Sequence, residues 1–483
     1  MAPAVGIVDM NKIISNTLAL FSAKAAMLLV SLALAAILAR RLGPGGYGAF
    51  RAVLSLCALL GVAIELGLDK IAIRECSVDR SRERIWVGTT LLIKIILALA
   101  VGLTALIVIA PSGRYRPLAP VVFLGLGIYA VSGLANTLTV VFRSREVMGL
   151  EALVKTAKSL FLLALVYLLA RSVASAAWIY FVSALFQFVF SWLLVRRLFF
   201  PPAIFREGAA ARRLVRGGAL IALAIFFNSF QDVVRLIVYW RSGAAAAGYY
   251  SVGSSFFQAL EGLVPLSLVG ALFPAVCRLR ATDRNAFSGV YRRSAAYLQM
   301  AALPFAVISL VLSPRLCVYF FGPSFAAAAG VVRVLGIVSL LMVQNYLLFD
   351  LMVAAGKERL FAGVMGAGAL INAASAFLLV APFGPAGAAA GGGLAQLFLF
   401  LVFLRLLRDD LSARSLAPLL RPWPVAAAMA AALWGLSFSG WPLLLIVLSA
   451  FVLYGGGLIV SGALNRRDWI LVRGIFSPGD GRE

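Results

Sequence analysis

The chain has 483 residues, 63% of them hydrophobic and 13% charged, with a mean hydropathy of +1.00 and no histidine. Water-soluble proteins carry about a quarter charged residues, so this composition lacks the polar surface needed to coat a soluble multidomain protein. The missing histidines also exclude histidine-ligated metals, Ser/His/Asp or Cys/His dyads and imidazole proton shuttles. A formal net charge of +24 would suggest nucleic acid in a soluble protein; here the placement of the charges decides their meaning.

Apolar runs of roughly 20 residues, long enough to cross a ~30 Å hydrocarbon layer, recur along the whole chain and predict an all-α polytopic membrane protein with about 14 transmembrane helices. Bounded by charge, Gly or Pro, the spans are 13–39, 48–69, 87–110, 118–142, 152–170, 174–195 and 217–240. They continue as 250–275, 289–313, 324–353, 361–381, 384–404, 423–439 and 441–462. Helices are the expected element because backbone groups in lipid must be satisfied internally. The first run is too long for a cleavable signal segment. All connections are short, which leaves no room for an extramembrane catalytic domain. Cys57, Cys76, Cys277 and Cys317 are scattered without a CxxC pair, so neither a disulfide framework nor a thiolate metal site is indicated. A GxxxxGK[ST] nucleotide loop is also missing.

With the N-terminus inside, most of the 43 Lys and Arg fall on that side, notably in the connections 70–86 and 196–216. The opposite side holds Arg40, Arg41, Arg114, Arg116, Arg171, Arg241 and Arg315. The bias is about four to one, a strong positive-inside signal, and it predicts both termini in the cytoplasm. It also accounts for most of the net charge: basic loops face anionic lipid headgroups, and no nucleic-acid partner is required.

A weak internal repeat runs through the chain. ARRLGPGGYGAF, with Gly46-Tyr47, is echoed by WRSGAAAAGYYS, with Gly248-Tyr249. Further on, Glu146 lies over Glu358, Ser175-Ala176 over Gly387-Ala388 and Arg196 over Arg408. The pattern divides the chain into an N-lobe (1–200), a basic linker (201–216), a C-lobe (217–410) and a C-terminal pair of helices with a tail (411–483). Repeats with an even number of helices are parallel, and in such transporters the substrate sits between the halves.

The stretch ending in LARRLGPGGYG, Leu38 through Gly48, resembles the first-helix signature of the Wzx-type polysaccharide flippases. The second half is similar to the same family: Asp232 followed by an apolar stretch and AAAGYYS ending at Ser251, FPAV around Pro274, FGPSF at Phe321–Phe325, AAGKERLF at Ala354–Phe361 and PFGPAGAA at Pro382–Ala389. The resemblance covers residues 10–410. It implies the multidrug/oligosaccharidyl-lipid/polysaccharide exporter (MOP) superfamily, with two six-helix lobes in a MATE-like arrangement around a central cavity, plus two C-terminal helices. It further implies movement of a polyprenyl-diphosphate-linked oligosaccharide across the bacterial cytoplasmic membrane, no cofactor, coupling to a proton or sodium gradient, and a polysaccharide polymerase and chain-length proteins as partners.

Seven basic residues fall inside the expected spans: Lys24, Arg51, Lys94, Lys155, Lys158, Arg235 and Arg333. Arg51, Lys155 and Lys158 lie near span ends, where a long side chain snorkels to the interface. Lys24, Lys94, Arg235 and Arg333 lie deeper. Facing lipid, those four would together cost on the order of 10–14 kcal/mol, so they are expected at a wet cavity or beside a counter-charge. A cationic cleft in a low-dielectric surround attracts phosphate, which makes these four the candidate substrate-binding residues. Related flippases often carry a basic residue where Lys24 stands. Glu65, Asp232, Glu261 and Asp350, with Asp69, are the candidate ion-coupling groups or counter-charges; Asp232 and Arg235 are three apart on one helical face and suited to neutralise each other. Pro265 and Pro304 are expected to kink their helices.

Four other readings remain at this point, one of them a purely structural scaffold, which predicts no costly buried charges. A multidrug extruder of the same superfamily should favour an acidic, aromatic cavity. A lipid II flippase shares the cationic cavity and the lipid diphosphate cargo. A membrane glycosyltransferase or ligase, with carboxylates at a membrane face and a large loop, fits least.

Overall fold

The structure is a computed structural model that describes residues 10–109, 119–263, 284–408 and 419–462, with side chains from Leu28 to Gln258 and from Ser288 onward apart from isolated positions. Among the described residues every regular element is helical: α1 (Met10–Glu65), α2 (Leu68–Val78), α3 (Glu83–Ile109), α4 (Ala119–Ser144), α5 (Met148–Leu169), α6 (Val173–Leu198), α7 (Gly208–Asn228), α8 (Phe230–Leu263), α9 (Arg284–Phe321), α10 (Ala329–Ala354), α11 (Glu358–Leu406), α12 (Trp423–Ser437) and α13 (Leu443–Val460), with short 3-10 turns at Arg80–Arg82 and Pro323–Ala328. Nine helices among the described residues are long and apolar enough to cross a membrane. Their outer faces carry exposed Leu99, Leu103, Ile107, Leu168, Leu444 and Leu448, as a lipid-facing surface requires. The molecule is a multi-pass membrane protein.

The helices are fewer and longer than the expected spans because several spans join through sharp breaks. Gly43 (φ 64°, ψ 176°) divides α1 into two limbs, Gly243 (φ 86°, ψ 178°) divides α8, and Gly384 (φ 61°, ψ −149°) divides α11. Positive φ strains any residue with a Cβ, so glycine is the residue that permits these reversals. Pro44 follows the first break and Pro385 the third; proline suits the first turn of a new helix limb, where its missing N–H has no partner to lose. The expected span 217–240 is shared between α7 and the first limb of α8, and the span 423–439 is the 15-residue α12. Pro304 lies inside α9, while Pro265 and Pro274 fall outside the described residues. At the start of α6, Ser172 and Ser175 form a reciprocal cap: Ser172 Oγ accepts from the Ser175 N–H at 3.1 Å, and Ser175 Oγ from the Ser172 N–H at 2.9 Å, satisfying donors that the first turn leaves open.

Buried apolar clusters tie the bundle together. One joins α2, α3, α4 and α6 through residues such as Leu68, Trp86, Phe142 and Val195. A second joins α9, α10 and α11 around Tyr291, Leu348 and Phe403, and a third seats α12 and α13 on α9 through Leu312, Leu433 and Ile446. The two sequence-similar segments meet each other: α1 crosses α8 with Gly48 against the backbone of Ala244 and Gly248 against that of Pro44. A Cβ on Gly48 would lie 1.8 Å from the Ala244 carbonyl oxygen, and one on Gly248 would lie 2.2 Å from that of Pro44. Tyr47 and Tyr249 flank this crossing and each meets the Phe325 ring edge-on, at 6.2 Å and 6.1 Å between centroids.

Backbone contact at this spacing leaves no room for a methyl group, so Gly248→Ala should destabilise the purified protein by about 1–3 kcal/mol, the usual range for overpacking. Gly45→Ala, whose Cβ would meet nothing within 4 Å, is the matched control. Thermal unfolding in detergent checks the pair; equal melting temperatures for Gly248→Ala and the unsubstituted protein would contradict the crossing.

Candidate functional site

The crossing places both limbs of α1 against α6 and α8, and a cavity of about 90 Å3 lies between them. Leu28, Ser31, Leu32 and Ala35 line it from the first limb, Tyr47 and Arg51 from the second, Tyr180 from α6, and Ser255 and Gln258 from α8. Arg51 is within electrostatic reach of Asp232 and Arg235. Arg235 is 2% exposed. Its Nη1 donates to Asp232 Oδ1 at 2.6 Å and to Ser55 Oγ at 2.5 Å, and Nη2 to Ser254 Oγ at 3.4 Å. Ser55 Oγ in turn donates to Asp232 Oδ1 at 2.8 Å. The Nε atoms of Arg51 and Arg235 are both buried without an acceptor among the described residues. Among the described residues two guanidinium groups here face one carboxylate, and of the three only Arg51 lines the cavity, its buried Nε a donor without an acceptor among them.

Arg51 stands apart from the snorkelling role expected of it. The second limb of α1 begins at Pro44, so Arg51 sits two turns inside a helix, about 10 Å from its start at 1.5 Å per residue. Read as a helix start, Gly43-Pro44 was the signal that moves this arginine from a span end to the interior.

Lys94 anchors a separate network within α1–α4. Its side chain is fully buried, and Nζ donates to Glu65 Oε2 at 2.6 Å, Asp69 Oδ2 at 2.8 Å and the Gly133 carbonyl at 3.1 Å. All three ammonium protons are thereby used. Thr137 Oγ1 donates to Asp69 Oδ1 at 2.8 Å, and Asp69 opens α2, where a carboxylate suits the helix dipole. Two carboxylates share one cation, and Glu65 keeps 31% of its side chain exposed.

The other sequence candidates are dispersed. Arg333 is exposed on α10, with Nε donating to Ser313 Oγ at 3.0 Å, and is absent from the lining of the Arg51 cavity. Asp350 is half-buried near the end of α10 and makes no ion pair among the described residues. Lys24 lies on the first limb of α1, four residues before Leu28, and Glu261 on α8; both side chains are outside the described residues. Lys155 pairs with Glu151 one turn away at 2.6 Å, and Lys158 donates to Gln187 Oε1 at 2.6 Å across to α6.

At the far end of the first limb, two adjacent arginines cap two helices. Arg40 Nε donates to the Phe320 carbonyl at 2.9 Å and its Nη2 to that of Tyr319, at the end of α9. Arg41 Nη1 donates to the Val166 and Ala170 carbonyls, both at 3.1 Å, and Nη2 to that of Tyr167, at the end of α5. A cation at a helix C-terminus satisfies carbonyls that lack helical partners and complements the dipole. The arginine pair therefore fastens α1 to α5, on its own side of the sequence repeat, and to α9, on the other.

Kinked helices long and apolar enough to span a membrane, an interhelical cavity and buried charges define the architecture of a multi-pass membrane protein, and comparison with solved structures shows the same fold. The fold is similar to the lipid II flippase MurJ in an inward closed conformation, with TM-score 0.78 at 13% identity over 93% of this chain and 99% of that one. It is also similar to an inward-facing multidrug resistance MATE transporter of the MOP superfamily, with TM-score 0.61 at 15% identity over 81% of this chain and 95% of that one. A MOP superfamily transporter from Pyrococcus furiosus, described as having a binding pocket of reverse polarity, matches with TM-score 0.53 at 15% identity over 82% of this chain and 96% of that one. The polysaccharide biosynthesis protein family model matches residues 13–280, and the chain belongs to that family. Comparison with curated proteins finds no match.

Removing one partner of a buried ion cluster leaves the others uncompensated, at about 3–5 kcal/mol. Lys94→Met should therefore lower the melting temperature sharply, and adding Glu65→Gln with Asp69→Asn should recover most of the loss; a stable single variant would contradict the network. Arg40 and Arg41 should differ in a distance measurement between spin labels at Arg171→Cys and Ser324→Cys in a background without the native cysteines. Arg40→Ala is expected to lengthen or broaden that distance and Arg41→Ala to leave it unchanged; equal responses would show that Arg40 holds nothing across the two sides.

Proposed function

We propose that this polysaccharide biosynthesis family transporter is a flippase for a polyprenyl-diphosphate-linked oligosaccharide, moving polysaccharide repeat units across the bacterial cytoplasmic membrane by alternating access. One observation carries the reading: the cationic cavity adjoins an apolar one. Leu28 and Leu32 line both. The apolar cavity, of about 460 Å3, runs between α1, α8, α9, α10 and α13 past Phe256, Phe257, Phe305, Phe320, Leu443 and Val447. A site with guanidinium donors at one end and hydrocarbon at the other suits an amphiphile with an anionic head and an isoprenoid tail. Arginine forks match phosphate oxygens, and each CH2 buried beside them adds about 0.8 kcal/mol.

The cationic cavity, at about 90 Å3, has room for about three waters and none for a sugar repeat. In this reading the cargo requires the halves to separate. In the proposed cycle an N-lobe (1–200) and a C-lobe (217–410) rock about the linker 201–216, both termini stay cytoplasmic, and residues 411–483 flank the C-lobe. Arg51 and Arg235 hold the diphosphate, and Lys24, one turn before Leu28 on the same limb, adds a movable charge. The Glu65–Asp69–Lys94 cluster, with its excess carboxylate and partly exposed Glu65, is where a proton or sodium ion would couple to that movement.

Family membership favours a polysaccharide precursor over the peptidoglycan precursor named for MurJ, although both cargoes share the lipid diphosphate. A multidrug extruder for organic cations fits less well, because the charged side chain lining the cavity, among the described residues, is Arg51.

In cells depending on this chain, Arg51→Ala should abolish surface polysaccharide and cause the lipid-linked oligosaccharide to accumulate on the cytoplasmic leaflet. Normal export with Arg51→Ala and Lys24→Ala combined would remove the cationic-site reading.

A further inference from the structure

A second basic cavity lies away from the central one, where α2 meets α7. It measures about 660 Å3 and is lined by Arg74, Arg212, Arg213 and Arg216 with Gly208, Ala209 and Gly217. Two of these arginines pair with one carboxylate: Arg74 Nη2 lies 2.9 Å from Glu75 Oε1, and Arg213 Nη2 lies 3.1 Å from Glu75 Oε2. Glu75 is 6% exposed and spends both oxygens on these two guanidinium groups, holding them at the rim. Arg212 and Arg216 are exposed, form no ion pair among the described residues, and stand four apart on one face of α7.

Local packing fixes this arrangement. Gly217 is close enough to α2 that a Cβ there would lie 2.9 Å from Ile71 Cδ1, and one on Gly218 would lie 2.3 Å from the Leu66 carbonyl oxygen. Leu68, Ile71, Ala72 and Cys76 are buried, which leaves Arg74 on the outer face of α2. Beyond Arg216 the α7 sequence becomes apolar, so the arginines stand at the polar end of a hydrophobic helix. A cluster with four positive charges and one negative, two of its forks unpaired, is a receptor for phosphate oxygens.

We infer that this cavity binds the phosphate of an anionic membrane lipid headgroup, gripping it with Arg212 and Arg216 while Glu75 orients Arg74 and Arg213. The site holds a resident lipid at the junction of α2 and α7, separate from the central cavity and independent of which cargo is carried.

The test is native mass spectrometry of the detergent-purified full chain titrated with phosphatidylglycerol, with phosphatidylcholine as the uncharged comparison. One phosphatidylglycerol should bind in preference to phosphatidylcholine, and Arg212→Gln with Arg216→Gln should weaken it by about thirtyfold, in keeping with the attraction of two interfacial arginines for an anionic lipid. Arg196→Gln with Arg197→Gln removes the same charge from the end of α6 and should change binding less than about twofold by the same measure. Glu75→Gln, which leaves every arginine in place, should retain phosphatidylglycerol. Equal losses in the two double variants would reduce the effect to diffuse surface charge and overturn the site. Displacement of the lipid by inorganic phosphate at matched concentration would make it a soluble-anion site and overturn the lipid assignment, as would equal binding of phosphatidylcholine.

Discussion

The backbone crossing of α1 and α8 at Gly48 and Gly248 positions the charged groups around the central cavity. Two helices that touch backbone to backbone can exchange polar side chains across a short gap, so Ser55 on α1 reaches both Asp232 and Arg235 on α8. The same approach turns Arg51 toward the space between them. One helical limb earlier, the Gly43 reversal delivers Arg40 and Arg41 to the ends of α9 and α5. Small residues at a membrane helix crossing serve this purpose in general, because packing, and not hydrophobic burial, drives association within lipid.

Around that crossing the buried charges divide by how fully they are compensated. Lys94 is saturated: three donors meet three acceptors. Arg235 is nearly so, with its carboxylate on the same helical face. Arg51 is the least compensated of the three, lining a cavity with an Nε that has no acceptor among the described residues. Neutralised charges hold a bundle in register, whereas an under-compensated cation beside an apolar cavity is an invitation to an anionic amphiphile. Net composition conceals this distinction, since all three residues contribute equally to the +24.

Much of this was legible in the sequence. Apolar runs and their punctuation marked the helices, whereas the joining of spans through Gly43-Pro44 and Gly384-Pro385 is seen only in the structure. The Asp232–Arg235 pair was readable because three residues on a helix share a face. Lys94 was readable as a buried cation and Glu65 and Asp69 as available carboxylates, yet their meeting depends on how α1, α2 and α3 pack, which local periodicity does not encode. The same holds for Arg40 and Arg41, which in sequence are two loop charges and in space are caps for helices about 125 and 280 residues away. Arg333 shows the converse: a basic residue inside an apolar run, close to the helix start at Ala329, reached the surface and bonded to Ser313 instead of entering the central cavity.

The proposed function rests on an under-compensated arginine beside an apolar cavity that holds a lipid diphosphate during its movement. Its most direct measurement is transport of a polyprenyl-diphosphate-linked sugar in proteoliposomes containing the purified chain, followed by the fraction accessible to an external lectin. The account predicts transport by the unsubstituted protein and loss of it in Arg51→Ala, with Arg333→Ala retaining it. Undiminished transport by Arg51→Ala would contradict it.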